Sequence, residues 1–141
     1  MGRLEELEGY EGEIESKESE VEETESALEE VNSRLETIES ALGELSEDQE
    51  VAETVEANKE QAESEKEELE SKSQELLSEL ESMDAELEAM NEENEESAST
   101  IQELASIGED VSAAEGIIEN RRSQIEQYKS KIQDLKSRLN G

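Results

Sequence analysis

The chemistry available to this chain is carried almost wholly by carboxylates: 40 glutamates and 4 aspartates stand against 12 lysines and arginines. Close carboxylate pairs are the raw material of general acid–base catalysis and of hard-cation binding. At this density they arise on any helix surface, and acid–base work needs in addition a buried pocket that shifts a pKa. Histidine and cysteine are absent, which removes the commonest general base, the thiolate nucleophile and the best transition-metal ligands. The most acidic stretch, Asn91-Glu92-Glu93-Asn94-Glu95-Glu96, lacks the Asp ladder and central Gly of an EF-hand loop, so only weak, nonspecific Ca²⁺ or Mg²⁺ association is expected of it. The expectation is a protein that is not an enzyme, with no catalytic, cofactor-binding or metal-ligating residue and no small-molecule substrate.

The formal net charge is −32. Such a field repels nucleic acid and anionic membranes and favours basic partners. The preference for Glu over Asp points to a helical surface, because Glu is a good helix former and Asp a poor one. No 18-residue apolar stretch is present to span a bilayer, and the opening MGRLEELEGYEGEIES has no apolar run of the signal-peptide kind. Met1-Gly2 is followed by Glu at position 6, which breaks the myristoylation pattern. The cytoplasm is the default location, with export by a route that reads folded helices left open.

Only 30% of residues are apolar and 1% aromatic, with no Phe, Trp or Pro. A compact single core normally relies on large aromatics, so either an acidic disordered chain or a long coiled helix is expected. Periodicity decides between them. Leu7, Ile14, Val21, Leu28, Leu35 and Leu42 recur every seven residues. Tyr10, Lys17, Thr24, Val31, Ile38 and Leu45 follow three residues later. Between these rows only Ala27 and Ala41 interrupt the polar residues. Two narrow apolar rows at heptad spacing are the seam of a coiled coil.

Gly43 suits a helix C-terminus, and Ser46-Glu47-Asp48-Gln49 reads as a capping box with Ser46 as N-cap. A second seam then runs through Ala52, Lys59, Lys66, Ser73, Leu80, Leu87, Asn94 and Ile101, with Val55, Ala62, Leu69, Leu76, Met83, Met90, Ser97 and Leu104. A third uses Val111, Ile118, Ile125, Ile132 and Leu139, with Ala114, Arg121, Tyr128 and Leu135. Its phase is shifted, which places a turn or kink near Ile107-Gly108; Thr100-Ile101-Gln102-Glu103 is a competing helix start. The expected fold is all-α, an elongated antiparallel coiled coil or a helical hairpin or three-helix bundle. It forms one domain over residues 1–141 with helices at about 3–42, 47–106 and 110–139. Gly9 and Gly12 should fray the first turns.

Polar residues in the seam have a role of their own. Asn94 at such a position is a register or oligomer-state device. Lys17, Lys59, Lys66 and Arg121 either snorkel past the seam or accept acidic groups from a neighbour, and Met83 and Met90 are core residues or adaptable contacts. The flanks carry charge. The first helix has Glu6, Glu11, Glu13, Glu18, Glu20 and Glu25 beside its seam, and the last has Arg122, Lys129, Lys131, Lys136 and Arg138. Residues 1–43 carry −12, residues 44–100 carry −19 and residues 101–141 carry −1. From where these charges lie, antiparallel pairing of the first and last helices is expected, although two tight turns alone would make them parallel. Pairing between chains, or a long hairpin with its tip near residue 75, would reconcile the two, but residues 69–80 contain no turn residue, so the position of the reversal stays open. Residues 44–100 are left as the surface to meet a partner.

The stretch Ala113-Ala114-Glu115-Gly116-Ile117-Ile118-Glu119-Asn120-Arg121-Arg122-Ser123-Gln124-Ile125-Glu126-Gln127-Tyr128 resembles the C-terminal helix of small helical proteins that accompany LXG-type toxins of bacteria. The resemblance implies an all-helical protein without enzymatic activity that binds the toxin's helical N-terminal region for type VII secretion. The Trp-x-Gly turn frequent in the wider WXG-type relatives has no counterpart here, and no site residue carries over. Three functions compete on the sequence: a binding adaptor or secretion companion for another helical protein, a self-associating coiled-coil spacer forming a homo-oligomer, and an acidic mimic of DNA's phosphate charge.

Overall fold

The structure, a computed structural model, describes residues 3–140; Met1, Gly2 and Gly141 lie outside the described residues, and the acylation reading of Met1-Gly2 falls there. Among the described residues there are three α-helices and no strand: α1 (Tyr10–Glu44), α2 (Gln49–Ser106) and α3 (Ser112–Asn140), preceded by a 3-10 segment, Arg3–Gly9. The expected all-α class is what is found. Of the two early glycines, Gly9 ends the 3-10 segment and Gly12 lies inside α1. Burial of Leu7 and Tyr10 pins these opening turns, since packing outweighs the backbone freedom of glycine.

The helix ends differ from the sequence expectation in instructive ways. α1 runs through Gly43, because the Leu45 N–H still donates to the Ala41 carbonyl at 2.9 Å. Ser46 therefore sits within the turn, and Asp48 is the residue that caps α2. Its carboxylate accepts from the Val51 N–H at 3.3 Å and its carbonyl accepts from the Ala52 N–H at 2.9 Å, the pattern of an N-cap. α2 is closed just past Ser106 by Gly108, which is left-handed with φ of 91°. The Gly108 N–H donates to Ala105 O at 3.0 Å and the Glu109 N–H to Leu104 O at 3.1 Å, the paired bonds of a Schellman motif. Thr100 lies inside α2 and donates its hydroxyl to Glu96 O at 3.3 Å, so the competing helix start at that residue is not used. The Asp110 carboxylate then accepts from both the Ser112 N–H and hydroxyl, opening α3, and these bonds hold its pKa below the usual aspartate value.

The chain divides into two compact units: Met1–Glu18 with Leu77–Gly141, and Ser19–Leu76. The first unit contains three helical stretches, from α1, α2 and α3. Within it Tyr10 donates to Glu86 and Lys17 to Glu79, so numbers on α1 rise as those on α2 fall, and the two are antiparallel. Arg122 meets Glu95 and Lys129 meets Glu88, so α2 and α3 are antiparallel too. Glu18 meets Lys131 at 3.9 Å, and Leu4, Leu7 and Glu8 share a groove with Ile117, Arg121 and Gln124; numbers rise together, and α1 and α3 are parallel. The second unit is a hairpin of α1 and α2 alone. Lys72 pairs with Glu20 at 3.7 Å and Arg34 with Glu65 at 2.5 Å, again antiparallel.

Antiparallel pairing of the first and last helices within one chain is thus corrected. Two tight reversals, at residues 45–48 and 107–111, force α1 and α3 to run the same way. The basic flank of α3 is satisfied largely by α2 instead. The reversal whose position the sequence leaves open does not fall near residue 75, where α2 is unbroken, in keeping with the lack of a turn residue in 69–80.

Gly108 generates the first prediction. A side chain at a left-handed position costs about 1–2 kcal/mol, although space exists for a Cβ there. Gly108→Ala should lower stability by that amount in urea unfolding, whereas Gly43→Ala, inside a helix, should raise it.

Candidate functional site

A heptad seam is useful only where something covers it, so the site is built by asking what covers each seam residue. In the three-helix unit the cover is complete over the middle of the seam, while toward its ends Ile101 and Leu139 are half-buried and Leu104 is 39% exposed. Leu80, Leu87, Met90 and Ile132 are 0% exposed, and Ile125 and Leu135 are 1%. Met83 and Met90 take their places as core. In the two-helix unit the same kind of residue is only partly covered: Leu28, Leu35, Ile38, Leu42, Val55 and Leu69 are all half-buried. Val21, Val31, Ala62 and Leu76 are fully buried between the two helices. A pair of helices can seal the line where they touch but not the outer edges of both rows, which is why a third helix deepens burial.

The cations show how a third helix is recognised. Arg122 donates from Nε and an Nη to both oxygens of Glu95, at 2.7 and 2.9 Å, the bidentate fork of a strong charge-assisted pair. It also reaches Glu119 at 2.5 Å. These bonds hold Glu95 below the usual glutamate range and Arg122 above its own. Lys129 donates to Glu88, which raises its pKa, and Lys131 approaches Glu18. α3 therefore lays three basic flanks against carboxylates of α1 and α2. Each Lys pair of this partly exposed kind contributes only about 0.2–1 kcal/mol, so the pairs select orientation and the seam supplies stability.

The singled-out seam polars separate. Lys17 lies beside α2 and donates to Glu79. Arg121 is half-buried in the groove beside Leu4 and Glu8. Lys59 and Lys66 are half-buried in the two-helix unit. Asn94 is fully buried, donating its amide to the Ile118 carbonyl at 3.1 Å while its oxygen finds no hydrogen-bond donor. A half-satisfied amide costs stability and fixes which residues face each other. The stretch Asn91–Glu96 is helix rather than loop, tied to α3 through Asn94 and Glu95. Residues 77–100 of the surface expected to meet a partner are packed against α1 and α3, whereas the partly covered seam spans residues 19–76. Sequence reading missed that α1 contributes to that open seam; the signal was the length of α3, 29 residues against the 58 of α2.

Tyr10 is almost fully buried. Burial first, then its hydrogen bond to Glu86, pushes its phenol well above the ordinary value. Tyr128 is raised by burial and by the nearby Glu11 and Glu8. Among the described residues no group of three or more carboxylates gathers as a metal site, and no helix is long and apolar enough to cross a membrane. No protein-family model matches the chain, and no curated protein or solved structure gives a significant match.

Uneven cover predicts uneven sensitivity. Ile125→Ala should cost about 2–5 kcal/mol in urea unfolding, and Leu35→Ala roughly half as much or less, because less of its surface leaves water on folding. The tyrosines predict alkaline behaviour. Their folded pKa values lie above the unfolded value near 10, so their stabilising effect is complete below pH about 10 and is lost as pH rises through the folded values. Ultraviolet titration should show phenolate appearing only above the ordinary tyrosine range, together with loss of helicity, and Tyr10→Phe should lessen the alkaline destabilisation.

Proposed function

We propose that this chain is a non-catalytic helix-binding protein, an adaptor or companion for another helical protein. The observation that supports it is the contrast in seam cover: 0–1% exposure for the best-packed residues under three helices against half-burial of Leu28, Leu35, Ile38, Leu42, Val55 and Leu69 in the two-helix hairpin. A hairpin with an open heptad seam binds a further helix by the same packing that α3 provides in the three-helix unit. With the resemblance of residues 113–128 added, the partner proposed is the helical region of an LXG-type toxin, and export with it by a type VII route belongs to the same reading.

A self-associating spacer is the second reading, since an open seam can also be closed by a copy of itself. The 21 acids and 4 bases of residues 19–76 oppose it, because like charges flanking a seam repel.

Co-expression with the helical N-terminal region of an LXG-type toxin, followed by size exclusion with light scattering, tests the reading. A stable heteromeric complex is expected. A homodimer that ignores the toxin region and persists at any salt concentration would establish the spacer instead.

A further inference from the structure

The chain contains its own example of a seam-covering helix, and that example specifies the kind of helix the open hairpin accepts. α3 presents Ile118, Ile125, Ile132 and Leu135, all buried, as its seam. Its cations reach two rows of carboxylates. One is on α1, where Lys131 meets Glu18. The other is on α2, where Lys129 and Arg122 meet Glu88 and Glu95. Counted in sevens along the same continuous helices, the α1 row passes from Glu18 to Glu25 and Glu39. The α2 row passes from Glu95 and Glu88 to Glu67, Glu60 and Glu53. Residues one heptad apart occupy equivalent places on a coiled helix. The two-helix unit thus repeats both acidic rows beside a half-buried apolar seam, while no part of α3 belongs to it.

Resting on the helix-binding reading, we propose that residues 19–76 form a docking face for one amphipathic helix of another protein. That helix is flanked by Lys and Arg and lies parallel to α1 and antiparallel to α2, as α3 does. The occupant is roughly four heptads long, the length needed to cover the hairpin. Its apolar positions cover Leu28, Leu35, Ile38, Val55 and Leu69, and its basic flanks face Glu39, Glu53, Glu60 and Glu67. Charge selects this occupant over a second copy of the hairpin. The unit carries −17, so a copy would bring a like field to the same seam, whereas a basic flank removes repulsion and adds pairs. Lys59 and Lys66, at seam positions of α2, interrupt the apolar row and mark the register for the incoming helix.

The test uses the full chain and three synthetic peptides. All carry four heptads of the α3 seam, with flanks of Lys and Arg, of Gln, or of Glu. Binding is followed by calorimetry, by the gain of peptide helicity, and by hydrogen exchange across the chain. The basic peptide should bind, weaken as salt is raised, and slow exchange in residues 19–76. The Gln-flanked peptide should bind roughly tenfold or more weakly, the sum of several pairs of a few tenths of a kcal/mol each. The Glu-flanked peptide should not bind. Glu60→Lys with Glu67→Lys should reverse the preference while leaving exchange in residues 112–140 unchanged. A spin label at one peptide end should broaden signals near residue 44 or near residue 19 according to direction. Equal binding of the basic and Gln-flanked peptides would overturn the charge rule and leave helix binding intact. Protection confined to residues 77–140, or an antiparallel label pattern, would overturn the docking face. Failure of every peptide, with a salt-insensitive dimer of the chain in light scattering, would overturn the helix-binding reading itself.

Discussion

A two-row apolar seam is sealed along both rows where three helical surfaces meet over it and along the inner line alone where two do, and the rest of this protein depends on where each condition holds. Side chains at heptad spacing project to both sides of the line between two helices. One neighbour covers the inner row; a second neighbour covers the rest. Where α1, α2 and α3 come together, seam residues such as Leu87 and Ile132 lose all contact with solvent. Where α1 and α2 stand as a pair, Leu35 and Leu69 remain partly wet. No aromatic-rich core exists to compensate, since the chain has only two tyrosines and no Phe or Trp. Stability is therefore distributed along the helices in proportion to local cover.

Charge decides direction rather than strength. With a net charge of −32, packed helices repel unless cations stand between them. The cations are few and placed at contacts: Lys17 and Lys72 and Arg34 between α1 and α2, Arg122 and Lys129 between α2 and α3. Asn94 adds a geometric constraint, because its fully buried amide donates to the Ile118 carbonyl of α3.

Much of this was legible in the sequence. Of the positions assigned to the seams, those in α1 and α3 are all buried or half-buried, and in α2 Leu104 stands apart as exposed. Heptad spacing reads well because it follows directly from side-chain projection. The turn at Gly108 was legible for a similar reason, a backbone conformation that glycine adopts freely. What misled was non-local. Acidic residues early in α1 and basic residues late in α3 suggested that those helices oppose each other, but carboxylates on α2 serve the same cations at the same register. Composition alone cannot say which of several acidic surfaces a lysine will meet. The capping residue was misplaced by two positions, Ser46 for Asp48, because both are good N-caps and only the extent of α1 distinguishes them. The half-buried seam of residues 19–76 draws on both α1 and α2, whereas the sequence had pointed to residues 44–100 alone.

The central claim is that the hairpin of residues 19–76 lacks a third helix that the rest of the protein possesses. Residue-resolved hydrogen exchange on the isolated chain measures this directly, because protection tracks local cover. The account predicts slow exchange in α3 and in the α2 residues packed against it, and clearly faster exchange along residues 19–76, the two parts of α2 differing though they belong to one helix. Uniform protection along the whole of α2, in a chain shown to be monomeric, would contradict it.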